Sequence, residues 1–209
     1  MVRRLIPDSI KCYAYKSYAL DGDEMNLSYA EPVPHLLGGL RPDRVFGGGA
    51  PVSPVNMPTK MRVTGGPKRK LLDFNNSHHM LLVNKRFLKI AERFQKEIQY
   101  FSVECFWRDG TPAGQMFFFF TTVLKDSVDR ERTAVPWFGA SDGRGMWLLH
   151  EPEAKGKSLV FSRTKIGSHH IWVDPHLPTR SPFVTEEFYA TLKKEKIRSF
   201  FDSPEYEEA

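Results

Sequence analysis

Hydrophobic positions change their spacing in the middle of the chain, and the change marks two predicted elements. In residues 85–95 they recur at helical spacing behind Asn84, whose side chain can cap a first turn. In residues 98–107 they alternate, and the more apolar face of this stretch carries Phe101, Val103, Cys105 and Trp107. The pattern therefore predicts a capped amphipathic helix that leads into a half-buried strand.

The next apolar run, QMFFFFTTVL, predicts a strand that is covered on both faces and central in its sheet. Asp109 and Gly110 form a turn signal before it, so this run and the alternating strand are expected to pair as an antiparallel hairpin. A second hairpin is predicted for GRGMWLLHE and KSLVFSRTK, and a shorter strand for HHIWVD.

Residues 181–201 repeat the same order of signals later in the chain. Thr185 stands where Asn84 stood, two glutamates follow in the first turn, lysines lie near the helix end, and IRSFF predicts an exit strand. In the aligned units Phe188 takes the place of Phe87. We predict an internal repeat, although any capped helix between two strands produces this pattern. The residues concerned are caps and core, so the repeat is interpreted as scaffold.

Residues 31–67 are dense in proline and glycine, which excludes a long helix and interrupts strands. We predict an irregular arm that packs on the body, because the segment before it is too short for a separate domain. Residues 1–67 would then hold an N-terminal strand and turn segment with this arm, and residues 68–209 the core. The fold class predicted is α+β: a single domain, mostly antiparallel sheet, with two short amphipathic helices in the repeat.

Composition narrows the function without naming it. The net charge of the 209 residues is +5 and the sequence pI is near 9.2, which permits an acidic partner but does not require nucleic acid. The two cysteines form no spaced metal or redox motif. We expect a cytoplasmic protein without membrane contact, because the chain has neither a signal-peptide core nor an apolar run of about 18 residues.

Candidate catalytic groups do not form a known motif. Neighbours in the pairs His78–His79 and His169–His170 point to opposite faces of a strand, and no HExxH is present. Cys105 lies on an apolar strand face, where an inert thiol is expected. The basic tract Lys68–Lys70 lacks interleaved aromatic residues. We therefore predict no catalytic, metal or cofactor-binding residues, and nucleic-acid binding is disfavoured.

Two blocks of the chain, together covering residues 70–205, resemble family eleven of the bacterial polymorphic-toxin immunity proteins. The matching positions of the first block are Asp73–Phe74, Val83–Asn84, Phe87 to Phe94, Ile98 to Val103, and Val123 to Asp129. The second block, from HHIWVD to the end of the repeat, resembles the family's C-terminal pattern. Asn84 and Thr185 depart from that pattern, because serine is usual at both places.

The resemblance implies a binding protein with no catalytic residues. It would be made in the cytosol and neutralise a toxin that a neighbouring gene encodes, often one delivered by a contact-dependent or type VI secretion system. For the partner interface we predict Trp137, Phe138, Arg144, Trp147 and Asp174. The toxin and the oligomeric state are left open.

Two other classes of function stay open at this point. One is an enzyme, perhaps a hydrolase, with a distributed site near His79, His170 or Asp174. The other is a nucleic-acid-binding protein that uses Lys68–Lys70 and the lysines of the last helix.

Overall fold

The computed structural model describes residues 1–6, 16–24, 26–31, 49–64, 70–77, 80–139, 145–149, 155–177, 181–198, 200 and 205–209. These residues form a mixed α/β structure in which strands predominate. The helices are α1 (Lys85–Phe94), α2 (Arg163–Ile166) and α3 (Glu186–Lys194). The strands are β1 (Val2–Arg4), β2 (Lys16–Ala19), β3 (Lys60–Thr64), β4 (Phe74–Ser77), β5 (Met80–Val83), β6 (Ile98–Trp107), β7 (Pro112–Thr121), β8 (Trp137–Gly139), β9 (Gly145–Trp147), β10 (Val160–Phe161), β11 (Ile171–Trp172), β12 (Phe183–Thr185) and β13 (Glu207–Glu208).

The main sheet has six strands in the order β2-β3-β6-β7-β5-β4. The predicted hairpin of β6 and β7 is confirmed and forms its centre, with Phe101 opposite Phe118. Strand β7 pairs with β5 on its other side, and its residues 116–121 are all buried, as predicted for the QMFFFF run. Strand β3 joins β6 in parallel, whereas the other pairs of this sheet are antiparallel.

The six-stranded sheet curls until its two edges approach each other. Residues of β2 come within 8 Å of residues of β4, measured between Cα atoms. The side chains on the concave side form one core cluster: Leu27, Val52, Met57, Met61, Val63, Met80, Leu82, Val103, Cys105, Trp107, Met116, Phe118 and Phe120. This cluster includes the face of β6 that was predicted to be apolar.

Among the described residues, helices α1 and α3 cover the convex side of the sheet over β4, β5 and β7 and reach Ile98 and Tyr100 at the start of β6. There α1 and α3 pack on Phe117 and Phe119, and Phe87 contacts Phe188 edge to face at 6.1 Å between ring centroids. The predicted caps are present, since Asn84 Oδ1 accepts the Phe87 N–H at 2.9 Å and Thr185 Oγ1 accepts the Phe188 N–H at 3.4 Å. Over β2, β3 and the rest of β6 the convex side faces solvent, because Lys60, Arg62, Ser102 and Glu104 are exposed.

A third core cluster lies beside the main sheet. It packs around Trp172 and Phe183, which belong to the small sheet β1-β12-β11. Gln95 joins this sheet to α1: its Oε1 accepts the N–H groups of His170 and Ile171 at 3.0 and 2.9 Å, and its Nε2 donates to the Ile171 carbonyl at 2.8 Å. A buried side-chain amide therefore replaces a neighbouring strand.

A second glutamine ties residues 49–64 to the sheet in the same way. Gln99 Oε1 accepts the Val52 N–H at 2.7 Å, and Gln99 Nε2 donates to the Val52 carbonyl at 3.0 Å. Leu27, Val52 and Met57 contribute to the concave core. The part of the proline- and glycine-rich arm at residues 32–48 and 65–67 lies outside the described residues.

Two predictions of local structure need correction. Strand β9 pairs with β8, whereas β10 pairs in parallel with β13, so GRGMWLLHE and KSLVFSRTK do not form a hairpin. Part of KSLVFSRTK forms the short helix α2. The predicted exit strand IRSFF does not begin at Ile197 and Arg198, because Lys196 adopts a positive φ of 55° and Ile197 donates its N–H back to Leu192; Phe200 forms a single β-bridge. Strand β4 runs through Asn75 and Asn76.

Candidate functional site

The residues predicted for the partner interface separate into exposed and buried positions. Phe138, in the β8–β9 hairpin, is 68% exposed, the highest value among the large hydrophobic residues described. Trp137 is half-buried next to it. We call these two residues the hairpin surface. Arg144 lies outside the described residues.

Trp147 and Asp174, which were also predicted for the partner interface, are buried. Trp147 is 3% exposed and packs edge to face on Trp137, with 5.1 Å between ring centroids. Asp174 is 1% exposed. Neither side chain can touch a partner directly in this conformation. Both can act on an interface only through the residues that they contact, Trp137 for Trp147 and His176 for Asp174.

Asp174 holds a buried network under the hairpin. Its Oδ2 accepts hydrogen bonds from the backbone N–H and the hydroxyl of Ser127, both at 2.7 Å, and its Oδ1 accepts the His176 N–H at 2.9 Å. The Ser127 hydroxyl in turn accepts the Trp172 indole N–H at 2.9 Å. Burial raises the pKa of the Asp174 carboxyl, while the hydrogen bonds from Ser127 and His176 oppose that shift. The network connects two separate chain segments, one at Ser127 and the other at residues 172–176.

The cation at the hairpin surface is already engaged. The Arg130 guanidinium lies over the Trp137 ring at 4.3 Å from its centroid and pairs with Asp126 at 3.4 Å. The His176 ring packs edge to face on the Trp137 ring, with 5.2 Å between their centroids. Its Nδ1 lies 3.0 Å from the Gly145 carbonyl oxygen. Phe138 is therefore the large side chain of this surface that is most available to a partner.

A second exposed region, which sequence reasoning missed, is the uncovered convex side of the main sheet. Register places Tyr18 beside Arg62, and Arg62 beside Phe106, in one row across β2, β3 and β6. Lys60 lies beside Glu104 in the next row. Tyr18 is 47% exposed and Phe106 is half-buried. We call these five residues, together with Arg108 directly after β6, the outer sheet face.

The groups considered for catalysis do not converge. His170 Nδ1 lies 2.9 Å from Thr185 Oγ1 and its ring packs on Phe94, whereas Asp174 bonds Ser127 and His176. Burial raises the pKa of the Cys105 thiol to about 12, which fits the inert thiol expected there. His78 and His79 lie outside the described residues.

One open cavity of about 270 Å³ lies at the end of α1, lined by residues 92–97 with Ser168 and His169. Burial, and then the charge of Lys125, lower the pKa of His169. The other ionisable residues that line the cavity carry charges of both signs: Glu92, Arg93, Lys96 and Glu97. Within the described ranges no three His, Cys, Asp or Glu side chains are grouped so that they could hold a metal ion.

The comparisons with known proteins identify the family. This mixed α/β chain matches the model of the immunity protein family Imm11 over residues 23–201, a range that holds both capped helices and the hairpin surface. The chain therefore belongs to the Imm11 immunity protein family, which confirms the resemblance seen in its motifs. No curated protein matches it. None of the helices in the described part of the chain has the length and apolar character needed to cross a membrane.

Proposed function

We propose that this protein binds and neutralises a cognate toxin by forming a tight, non-catalytic complex with it. Membership of the Imm11 family across residues 23–201 is the observation that carries the proposal, because it places the general role of the chain in toxin immunity. The toxin would be the product of a neighbouring gene and an effector of bacterial competition, delivered for example by type VI secretion. The complex would form in the cytoplasm of the producing cell.

The dispersed catalytic candidates support inhibition by binding. His170 and Asp174 are held in separate hydrogen-bond networks, and the Cys105 thiol is buried. A stoichiometric inhibitor needs only a stable surface with a few anchoring side chains.

Phe138 is the contact residue that the hairpin surface contributes, and Trp137, its half-buried neighbour on β8, flanks it in the chain. An exposed phenylalanine on a supported hairpin can insert into a pocket of a partner, because the aromatic ring buries a large apolar area at little cost in conformational entropy. Trp147 and Asp174 then serve the interface from below, by holding the base of the hairpin.

Co-expression with the product of the neighbouring gene tests the proposal. We expect cells that carry both genes to survive, cells that carry the neighbour alone to die, and the two proteins to elute together in a fixed ratio. A harmless neighbour, or rescue without a stable complex, would contradict neutralisation by binding.

The hairpin contact is tested separately with Phe138→Ala. The matched control is Val55→Ala, which also removes an exposed apolar side chain, 63% exposed, from a different part of the chain. We expect the first variant to weaken binding by about tenfold or more and the second to leave it unchanged. Equal affinity of both variants would remove Phe138 from the interface.

A further inference from the structure

Most of the arginines that the structure describes are engaged within the chain. Ion pairs hold Arg3, Arg86, Arg93, Arg130, Arg132 and Arg163, and Arg4 bonds Tyr206. Among the arginines that the structure describes, the guanidinium groups of Arg62, Arg108 and Arg198 form neither an ion pair nor a hydrogen bond. Two of these three belong to the outer sheet face.

Register brings the free cations together. Arg62 of β3 is level with Phe106 of β6, and Val63 is level with Trp107. Arg108 is the next residue in the chain, directly after the end of β6. Trp107, the last residue of β6, points into the concave core, and Arg108 follows it in the β6–β7 turn, where it is exposed.

None of the carboxylates that the structure describes forms an ion pair with Arg62 or Arg108. Glu104 lies beside Lys60 in the register. Asp21 accepts the backbone N–H groups of Thr59 and Lys60 at 2.8 and 2.9 Å, also at the Lys60 end. Asp109 accepts the hydroxyl of Thr111 at 2.6 Å within the β6–β7 turn. The two arginines thus keep their donors available for an external anion.

Aromatic rings flank the central arginine. Arg62 stands between Tyr18 and Phe106, and side chains level on adjacent strands are about 5 Å apart at Cβ. The planar guanidinium of Arg62 can hold a carboxylate through two parallel hydrogen bonds. Exposed tyrosine and arginine in one patch is the composition that recurs at the centres of protein interfaces.

We propose that the toxin docks on the outer sheet face through a patch of its own that carries carboxylates, paired with Arg62 and Arg108. This inference rests on the proposed function and names the chemistry of its partner. Charge complementarity favours an acidic protein surface: the chain has a net charge of +5, and the arginine end of this face adds unpaired positive charge. At the hairpin surface, by contrast, Arg130 is already paired with Asp126.

The test measures the affinity of the purified neighbouring-gene product for three forms of this protein. The double charge reversal R62E/R108E is compared with wild type and with R198E, which reverses the third unpaired arginine at an exposed position outside the face. We expect the double reversal to weaken binding by about 100-fold or more and R198E to change it less than about twofold. Wild-type binding should also weaken with salt more steeply than binding by R62E/R108E.

Each outcome decides a different point. If wild type binds and R62E/R108E binds as tightly as R198E, the outer sheet face is not the docking surface, while the proposed function stands. If wild type itself does not bind, the proposed function fails and the inference fails with it. A thermal melt of each variant separates loss of binding from loss of folding, and Arg62→Gln with Arg108→Gln provides a milder form if the reversal melts early.

Nucleic acid is the other anion that a basic face with aromatic rings attracts. A fluorescein-labelled single-stranded RNA and its DNA counterpart serve as probes. Salt-sensitive binding of either probe that R62E/R108E abolishes, together with unchanged affinity for the neighbouring-gene product, would assign the face to nucleic acid and overturn the inference.

Discussion

The helices α1 and α3 begin alike and end differently. Each begins at a polar cap that follows a buried strand residue, Val83 or Val184, and each places a fully buried phenylalanine at the fourth position after that residue. The residues that follow the two helices differ in burial. Gln95, directly after α1, is 5% exposed, whereas the side chain of Glu195, directly after α3, is 45% exposed.

The difference shows what a local sequence pattern controls. Cap and apolar spacing determine where a helix begins and which face it buries, and both helices obey them. Whether a strand follows the helix depends on neighbouring strands with which it can pair. After α1 the chain forms β6, which pairs with β3 and β7, whereas after α3 the chain turns back at Lys196. The repeat in sequence therefore reproduces the cap and the helix, but in the described residues no strand begins directly after α3 as β6 does after α1.

The largest effect is expected where the two helices meet. Phe87→Ala and Phe188→Ala each remove a ring that is 0% exposed in the shared core, so each should lower the free energy of unfolding by about 3–5 kcal/mol. Urea denaturation followed by fluorescence measures both. If one substitution costs less than half as much as the other, the two helices are not equivalent in the core.

An intermediate loss of stability is expected from a substitution at the end of α1, but not from the matched substitution at the end of α3. Gln95→Ala leaves the N–H groups of His170 and Ile171 without an acceptor and should cost about 3 kcal/mol. Glu195→Ala, the matched change at the end of α3, removes an exposed side chain and should cost less than about 0.5 kcal/mol. Equal losses in a denaturation series would contradict the contrast between the two ends.

The smallest effect is expected at the caps. Asn84→Ala and Thr185→Ala should each cost about 1 kcal/mol, because each removes the acceptor of one first-turn N–H group. Asn84 also donates to Asp73 at 2.6 Å, so its loss should be the larger. Thermal melts of Asn84→Ser and Thr185→Ser provide the control, since serine retains a capping oxygen.

Much of the main sheet could be predicted from the sequence, because its strongest signals are local. The alternation of β6, the double burial of β7 and the Asp109–Gly110 turn each depend on residues within one hairpin. The pairing of β10 with β13 could not be predicted, since two-residue strands carry no periodicity and their partner is distant in the chain. The prediction of a hairpin there followed chain order alone.

The candidate surfaces were predictable to a smaller extent. The exposure of Phe138 fits its place beside glycines in a short hairpin. Trp147 has a similar sequence context, but it is buried. Tyr18, Arg62 and Phe106 look like ordinary solvent-facing strand positions when each is considered alone. Their adjacency follows from the pairing of β2 with β3 and of β3 with β6, which no local pattern specifies.

The position of β7 also bears on aggregation. Its run of four phenylalanines has the high β-propensity, low charge and absence of proline that favour amyloid-like stacking. In the native protein both edges of that run are paired and both of its faces are covered. Any variant that opens the hairpin of β6 and β7 exposes a segment able to recruit other chains. Solubility of this protein should therefore fail together with its folding rather than after it.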